Sequence, residues 1–155
     1  MIFVTVGTTQ FDTLIREVDR LAGLGRLPPP IECQIGAGAY EPRYCRFFRF
    51  RPSIENLLVN SDLTICHGGA TVFSLLSLGK KFVAVPNREL ADDHQTKLLE
   101  HLRLHVALHW AAHVSDLERA VACALNSPAP RLEQPRLSDF LKPLVLGERT
   151  KSLPP

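Results

Sequence analysis

Two rhythms of apolar residues alternate along the chain: short unbroken runs, and longer stretches spaced three and four apart. Ile2 to Val6 is almost wholly β-branched and aromatic, which predicts a central strand buried on both faces. Phe11, Leu14, Ile15, Val18 and Leu21 follow at helical spacing, so a helix should lay one face on the sheet. Thr9 is placed to cap that helix, with Asp12 three residues on as its capping-box partner. The helix should end around Gly23 to Gly25. Three prolines at 28–30 then stiffen the way into a second strand, Ile31 to Ile35. Arg46 to Phe50 is a third strand, and Ser53 is the expected cap of a short helix through Leu57 and Leu58.

The stretch from Asp62 to Gly79 organises the remainder. Leu63 to Cys66 reads as a buried strand, His67-Gly68-Gly69 as a tight turn, and the residues from near Ala70 to Gly79 as a helix. Lys81 to Val85 is a fifth strand stopped by Pro86, and Asn87 to Ala91 a loop. A helix should open at Asp92-Asp93 and bury Leu98, Leu99 and Leu102. Val106 to Trp110 is a sixth strand, and Ser115 caps a last helix to about Asn126. After Ser127 the chain turns proline-rich. Phe140, Leu141, Leu144 and Val145 suggest one small amphipathic helix, broken by Pro143, in a tail that docks on a partner or frays. Residues 1–126 thus form one domain and 127–155 a tail. The alternation implies an α/β, Rossmann-like parallel sheet of five to six strands with helices on both faces. Four loops should share one rim: Gly7–Thr9, Gly36–Tyr40, His67–Thr71 and Asn87–Gln95.

Composition narrows the function classes. A length of 155 residues fits one domain, and 45% apolar residues suit a soluble globular one. A net charge of +2 with no dense Lys/Arg block argues against nucleic acid as a partner. Met1 leads straight into a strand, with no basic segment or cleavage site of an export signal, and no apolar run suits a bilayer span. Four cysteines, 33, 45, 66 and 123, form no C-x-x-C pair and read as reduced thiols of a cytoplasmic protein.

The candidate chemistry lies on the rim. Two glycines at the end of a strand let backbone approach a ligand closely, and the following helix aims N–H groups and its positive dipole end at the gap. A phosphate fits that description; so does a purely structural turn. Neither G-x-G-x-x-G nor the P-loop pattern is present, and no nucleophile elbow. His101, His105, His109 and His113 would make a metal face on one continuous helix, but the β-rich run from Val106 to Trp110 removes the last two. Asp92-Asp93 is not an Asp-x-Asp metal pair. No metal and no cofactor are implied. His94 and Gln95, in the first turn after a long rim loop, offer hydrogen bonds suited to a hydroxyl-rich ligand, or a solvated polar cap.

Taken in order, Phe3-Val-Thr-Val-Gly-Thr-Thr9, Phe11-Asp12, Gln34-Ile-Gly36 with Tyr40 and Pro42, Ser61-Asp62 leading into His67-Gly-Gly69, Gly79-Lys80 and Asp93-His94-Gln95 make a set. Over residues 1 to 126 it resembles the C-terminal, donor-binding domain of glycosyltransferase family 28. The nearest likeness is to its single-domain members, such as the cytosolic subunit of the bipartite UDP-N-acetylglucosamine transferase and matching subunits of bacterial exopolysaccharide transferases. The resemblance implies half of a two-Rossmann-domain (GT-B) enzyme, working as one component of an inverting transferase. It implies a UDP-sugar donor, a polyprenyl-linked acceptor and a membrane-anchored acceptor-binding partner subunit that recruits the chain to a membrane. It also implies that Gly68, Gly69, Ala70 and Thr71 hold the diphosphate beside His67, while Phe50 and Arg51 flank the uracil. His94 and Gln95 would reach the donor sugar, and Gly7, Thr8 and Thr9 would face the cleft. Ser74 stands where the family usually has a ribose-gripping Glu, and Asp93 where it often has Asn; a Ser forms no charge-assisted pair with the ribose. No catalytic base is evident. A non-catalytic nucleotide-sugar-binding module and a self-sufficient homodimer remain alternatives.

Overall fold

A computed structural model describes residues 1–89 and 94–131. In chain order the elements are β1 (Ile2–Thr5), α1 (Asp12–Gly23), β2 (Ile31–Gln34), β3 (Arg46–Phe48), α2 (Glu55–Asn60), β4 (Leu63–His67), α3 (Thr71–Ser77), β5 (Phe82–Val85), α4 (His94–Leu102), β6 (His109–Trp110) and α5 (Leu117–Asn126). Every strand pair is parallel and the order is β3-β2-β1-β4-β5-β6. Parallel strands cannot join by hairpins, so helices cross over both faces.

The continuous apolar runs divide at every second residue between two cores. On one face Val4, Ile65 and Val83 meet Leu14, Ile15 and Val18 of α1 and Leu117 and Val121 of α5. On the other, Phe3, Cys66, Phe82 and Ala84 meet Leu58 of α2, Val72, Leu75 and Leu76 of α3, and Leu99 and Leu102 of α4. Each fully buried side chain of this size contributes about 1.5–3 kcal/mol. Burial also pushes the Cys66 thiol up to about 12, so it is a packing residue and not a nucleophile.

Several expected element ends move, each for a local reason. Thr9 does not cap α1: its hydroxyl donates to the Val6 carbonyl at 2.9 Å. Asp12 instead accepts the N–H groups of Ala39 and Tyr40 at 3.1 and 3.2 Å, tying the β2–β3 loop to α1. β3 stops at Phe48, two residues early, where the Arg49 guanidinium turns back to the Gly38 carbonyl and Glu41. The Ser53 hydroxyl does accept the Glu55 N–H at 3.2 Å, although the residue at the helix boundary is Ile54. Ser115 lies inside a single 3-10 turn, Val114–Asp116, and caps nothing. β6 shrinks to two residues because Val106 donates back to the Leu102 carbonyl at the end of α4. With α4 ending at Leu102, His105, His109 and His113 all lie off the helix that carries His101. The expected helix start at Asp92-Asp93 and the tail helix at 140–145 lie outside the described residues.

One buried carboxylate fixes the β2–β3 connection. Asp19 of α1 is only 2% exposed. It accepts the Tyr40 hydroxyl at 2.7 Å and the N–H groups of Arg43 and Tyr44, the latter also at 2.7 Å. Burial alone would raise its pKa; these hydrogen bonds, with the Arg43 charge, outweigh it and hold the carboxyl below its usual range. Asp19→Ala strands three donors and should lower stability by about 2–4 kcal/mol in urea unfolding at neutral pH. A lowered folded pKa means the contribution is present above the unfolded carboxylate range and lost as pH falls through the folded value. The gap between parent and variant should therefore narrow below about pH 4; a gap independent of pH would contradict the assignment.

Candidate functional site

β1 and β4 are central neighbours, yet the chain leaves β1 toward β2 and leaves β4 toward β5. A crease therefore opens between their carboxyl ends, the place where open parallel sheets bind ligands. Gly7, Thr8 and Thr9 form one wall and His67 to Thr71 the other. The first wall is rigidly held. The Gly7 N–H donates to the Thr5 hydroxyl at 3.1 Å, and that buried hydroxyl donates to Gln34 at 2.6 Å. Thr8 projects outward, exposed.

His67 ends β4 and its ring fills the floor of the crease. A Cβ built on Gly7, whose φ is +64°, would lie 3.2 Å from the His67 Cε1. One built on Gly69 would lie 2.6 Å from its Nε2. Burial lowers the His67 pKa, offset in part by the Thr5 carbonyl, and Nδ1 is buried without a hydrogen bond of good geometry. The imidazole is thus neutral at neutral pH. Gly68 is committed too: a Cβ there would meet Leu99 at 3.0 Å and Gln95 at 3.1 Å, so it lets α4 close onto the turn. Both glycines are therefore required by contacts within the protein, beyond the ligand approach expected of them. The Gly69 N–H already donates to the His67 carbonyl at 2.8 Å. What the turn leaves open is the N–H groups of Ala70 and Thr71, which have no acceptor among the described residues.

Asn87, only 2% exposed, locks this wall to the next loop. Its N–H donates to Gln95 Oε1 and its side-chain amide to the Gln10 carbonyl, both at 2.8 Å; its own side-chain oxygen accepts the Glu89 N–H at 3.0 Å. Glu89 in turn bonds Thr13 at the start of α1. The Gln95 carbonyl oxygen thus shapes the rim, while exposed His94 stands beside it at the start of α4. Asp93 lies outside the described residues. Sequence reading passed over Asn87 as a loop residue; a lone Asn directly after a strand-ending Pro, on the ligand rim, was the available signal.

The remaining candidates sit apart from the crease. Ser74 is exposed on α3 and opens onto a cleft of about 550 Å³ shared with Ser53, Ile54, Glu55 and Phe73 at the α2–α3 boundary. Phe50 is 55% exposed. Arg51 is already engaged: its guanidinium stacks 3.9 Å over the Phe48 ring and bonds Glu32 at 2.7 Å. A larger cleft, about 790 Å³, is lined by Gly79, Leu108 and Pro128 toward the amino ends of the strands, away from the switch point. The strand order marks the crease as the candidate site, and cleft size does not.

Residues 1–137 match the family described as glycosyltransferase family 28 C-terminal domain. The chain is 34% identical over 142 residues to the UDP-N-acetylglucosamine transferase subunit ALG13 of Mus musculus, a match covering 83% of this chain and 11% of that protein. The protein of the same name in Kluyveromyces lactis is 31% identical over 61% of this chain and 50% of its own length. The chain therefore spans about a tenth of the one relative and half of the other. Among solved structures, MurG of Acinetobacter baumannii shares the fold, with a TM-score of 0.59 at 22% identity over 81% of this chain and 41% of MurG.

The contact between His67 and Gly69 is open to a double-mutant cycle. Gly69→Ala forces a methyl against the imidazole and should destabilise the fold by about 1–3 kcal/mol. In the His67→Ala background the same change should cost clearly less. Additive effects in urea unfolding would show that the ring does not occupy the space beside Gly69.

Proposed function

The chain belongs to the glycosyltransferase family 28 C-terminal domain family, and we propose that it is the donor-binding half of a two-component, inverting transferase. The donor is a UDP-sugar. The acceptor is a polyprenyl-linked saccharide presented by a membrane-anchored partner subunit, which brings this chain to the membrane surface. Supporting this is the open pair of amides, Ala70 and Thr71, at the switch point of the sheet. Backbone donors at a helix start suit the diphosphate of a departing UDP, whose negative charge grows as the sugar leaves. The relatives' names make UDP-N-acetylglucosamine the first donor to test.

The residues take distinct roles. Ala70 and Thr71 bind the diphosphate, with Gly68 and Gly69 shaping the turn around His67. Ser74 and the α2–α3 cleft receive the nucleoside, with Phe50 beside it, and Arg51 would have to leave Glu32 to take part. His94 meets the sugar, Gln95 holds the rim, and Gly7 to Thr9 face the acceptor. Half-buried His67 has its pKa lowered by burial and is a weakened base, while of the described rim carboxylates Asp12 holds Ala39 and Tyr40 through one oxygen and Glu89 holds Thr13. The partner supplies the base. The same lack of a base favours a second reading, a non-catalytic nucleotide-sugar-binding module.

Because the crease is open on this chain alone, UDP-N-acetylglucosamine should bind with a Kd on the order of 0.1–1 mM in isothermal titration. His94→Ala should weaken the nucleotide sugar but leave UDP nearly unchanged. Gln95→Ala should weaken both, since it releases the Asn87 loop. Sugar transfer should appear only with the partner subunit. No heat with UDP at millimolar concentrations would overturn the donor assignment, and robust transfer by the purified chain alone would overturn the two-component one. Donor binding without transfer in the reconstituted pair would establish the second reading.

A further inference from the structure

β3 is one of the two edge strands of the sheet and carries the run Arg43-Tyr-Cys-Arg-Phe-Phe-Arg-Phe-Arg51, with four arginines and no acid. Arg49 and Arg51 are tied to Glu41 and Glu32. Arg43 and Arg46 are exposed and form no salt bridge among the described residues, although the Arg43 charge acts on buried Asp19. Between them Tyr44 is 67% exposed, and Phe47 is 40% exposed. The Tyr44 ring lies against Gly23 at the end of α1, where a Cβ would come within 2.8 Å of it, and the next residue, Leu24, is 61% exposed. This surface is held in place: the Asp19 carboxylate takes the backbone N–H groups of Arg43 and Tyr44. An aromatic and aliphatic patch flanked by exposed cations is thus displayed rigidly on an edge.

We propose that the β3 edge, made of Arg43, Tyr44, Arg46 and Phe47 with Leu24 beside them, docks directly on an anionic lipid bilayer. Tyrosine and phenylalanine rings settle at headgroup depth, and guanidinium groups gain from anionic headgroups around them. Charge complementarity selects this occupant, because Arg43 and Arg46 expose their guanidinium groups outside any salt bridge among the described residues, while the nearby Glu41 and Glu32 are held by Arg49 and Arg51. A peptide adding to the strand edge is disfavoured, since β3 offers only three residues of ladder. The contact is independent of donor binding, which uses the crease between β1 and β4.

Co-sedimentation of the full chain with phosphatidylcholine vesicles, with and without one third phosphatidylserine, tests this. The parent should bind the anionic vesicles, and raised salt should weaken binding. Arg43→Gln with Arg46→Gln, and separately Tyr44→Ser with Phe47→Ser, should each lower the partition coefficient by about tenfold or more. Both double variants should unfold at the parent's temperature, because the altered side chains lie at the surface. The proposal is overturned if the parent ignores phosphatidylserine, if both variants bind like the parent, or if neutral vesicles bind equally well. A concentration-dependent dimer abolished by Tyr44→Ser with Phe47→Ser, seen by light scattering, would also overturn it and assign the patch to a second copy.

Discussion

The two innermost strands lie side by side while their connections run apart, and the candidate site depends on that. β1 and β4 share a full ladder, Ile2 opposite Leu63 through Thr5 opposite Cys66. Their exits diverge, so no loop bridges the two at the carboxyl end. Backbone that would elsewhere be covered by a crossover is left facing a gap. A protein cannot leave such a gap ragged, because unpaired polar groups and voids are both destabilising. Here His67 fills the floor, and the glycines on either side exist in part to admit its ring. The amides of Ala70 and Thr71 are left without an acceptor among the described residues at the lip.

Around that gap the loops are fastened by buried polar residues more than by apolar ones. Thr5 with Gln34, Asn87 with Gln10 and Gln95, and Asp12 with Ala39 and Tyr40 each join segments distant in sequence. Hydrogen bonds suit this task because they fix direction, whereas apolar contact fixes only proximity. A rim built this way holds its amides still before any ligand arrives, which is the condition for electrostatic stabilisation of a leaving group.

How much of this was legible in the residues follows from the same distinction. Strands β1, β4 and β5 were plain, since burial on both faces forces continuous apolar runs such as Ile2 to Val6 and Phe82 to Val85. α1 was equally plain from its spacing, but its start was not. Thr9 and Asp12 fit a capping box, and only the fold shows that the β2–β3 loop competes for Asp12 and wins with two N–H donors. β3 and β6 were drawn too long for the reason that edge strands are ended by tertiary contacts, Arg49 with Gly38 in one case and Val106 with Leu102 in the other. The crease itself was legible from Gly68-Gly69. That Gly68 serves α4, and Gly69 serves His67, was not, because sequence shows where a side chain is missing and not what fills the space.

The proposed weak hold on a donor follows from the geometry of the crease. On this chain the two open amides face solvent, where the effective dielectric is high and a hydrogen bond to phosphate replaces one to water at little net gain. The neighbouring groups that would strengthen them are turned inward: the Gly69 N–H to the His67 carbonyl and the Gln95 side chain to Asn87. None of these contacts needs to break for a second surface to close over the crease. Closure would expel water, and each fixed dipole would then act through a medium in which the same geometry counts for several times more. A rim that is stiff and open above is therefore better suited to the proposed role, completing a site with another surface, than to holding a donor by itself.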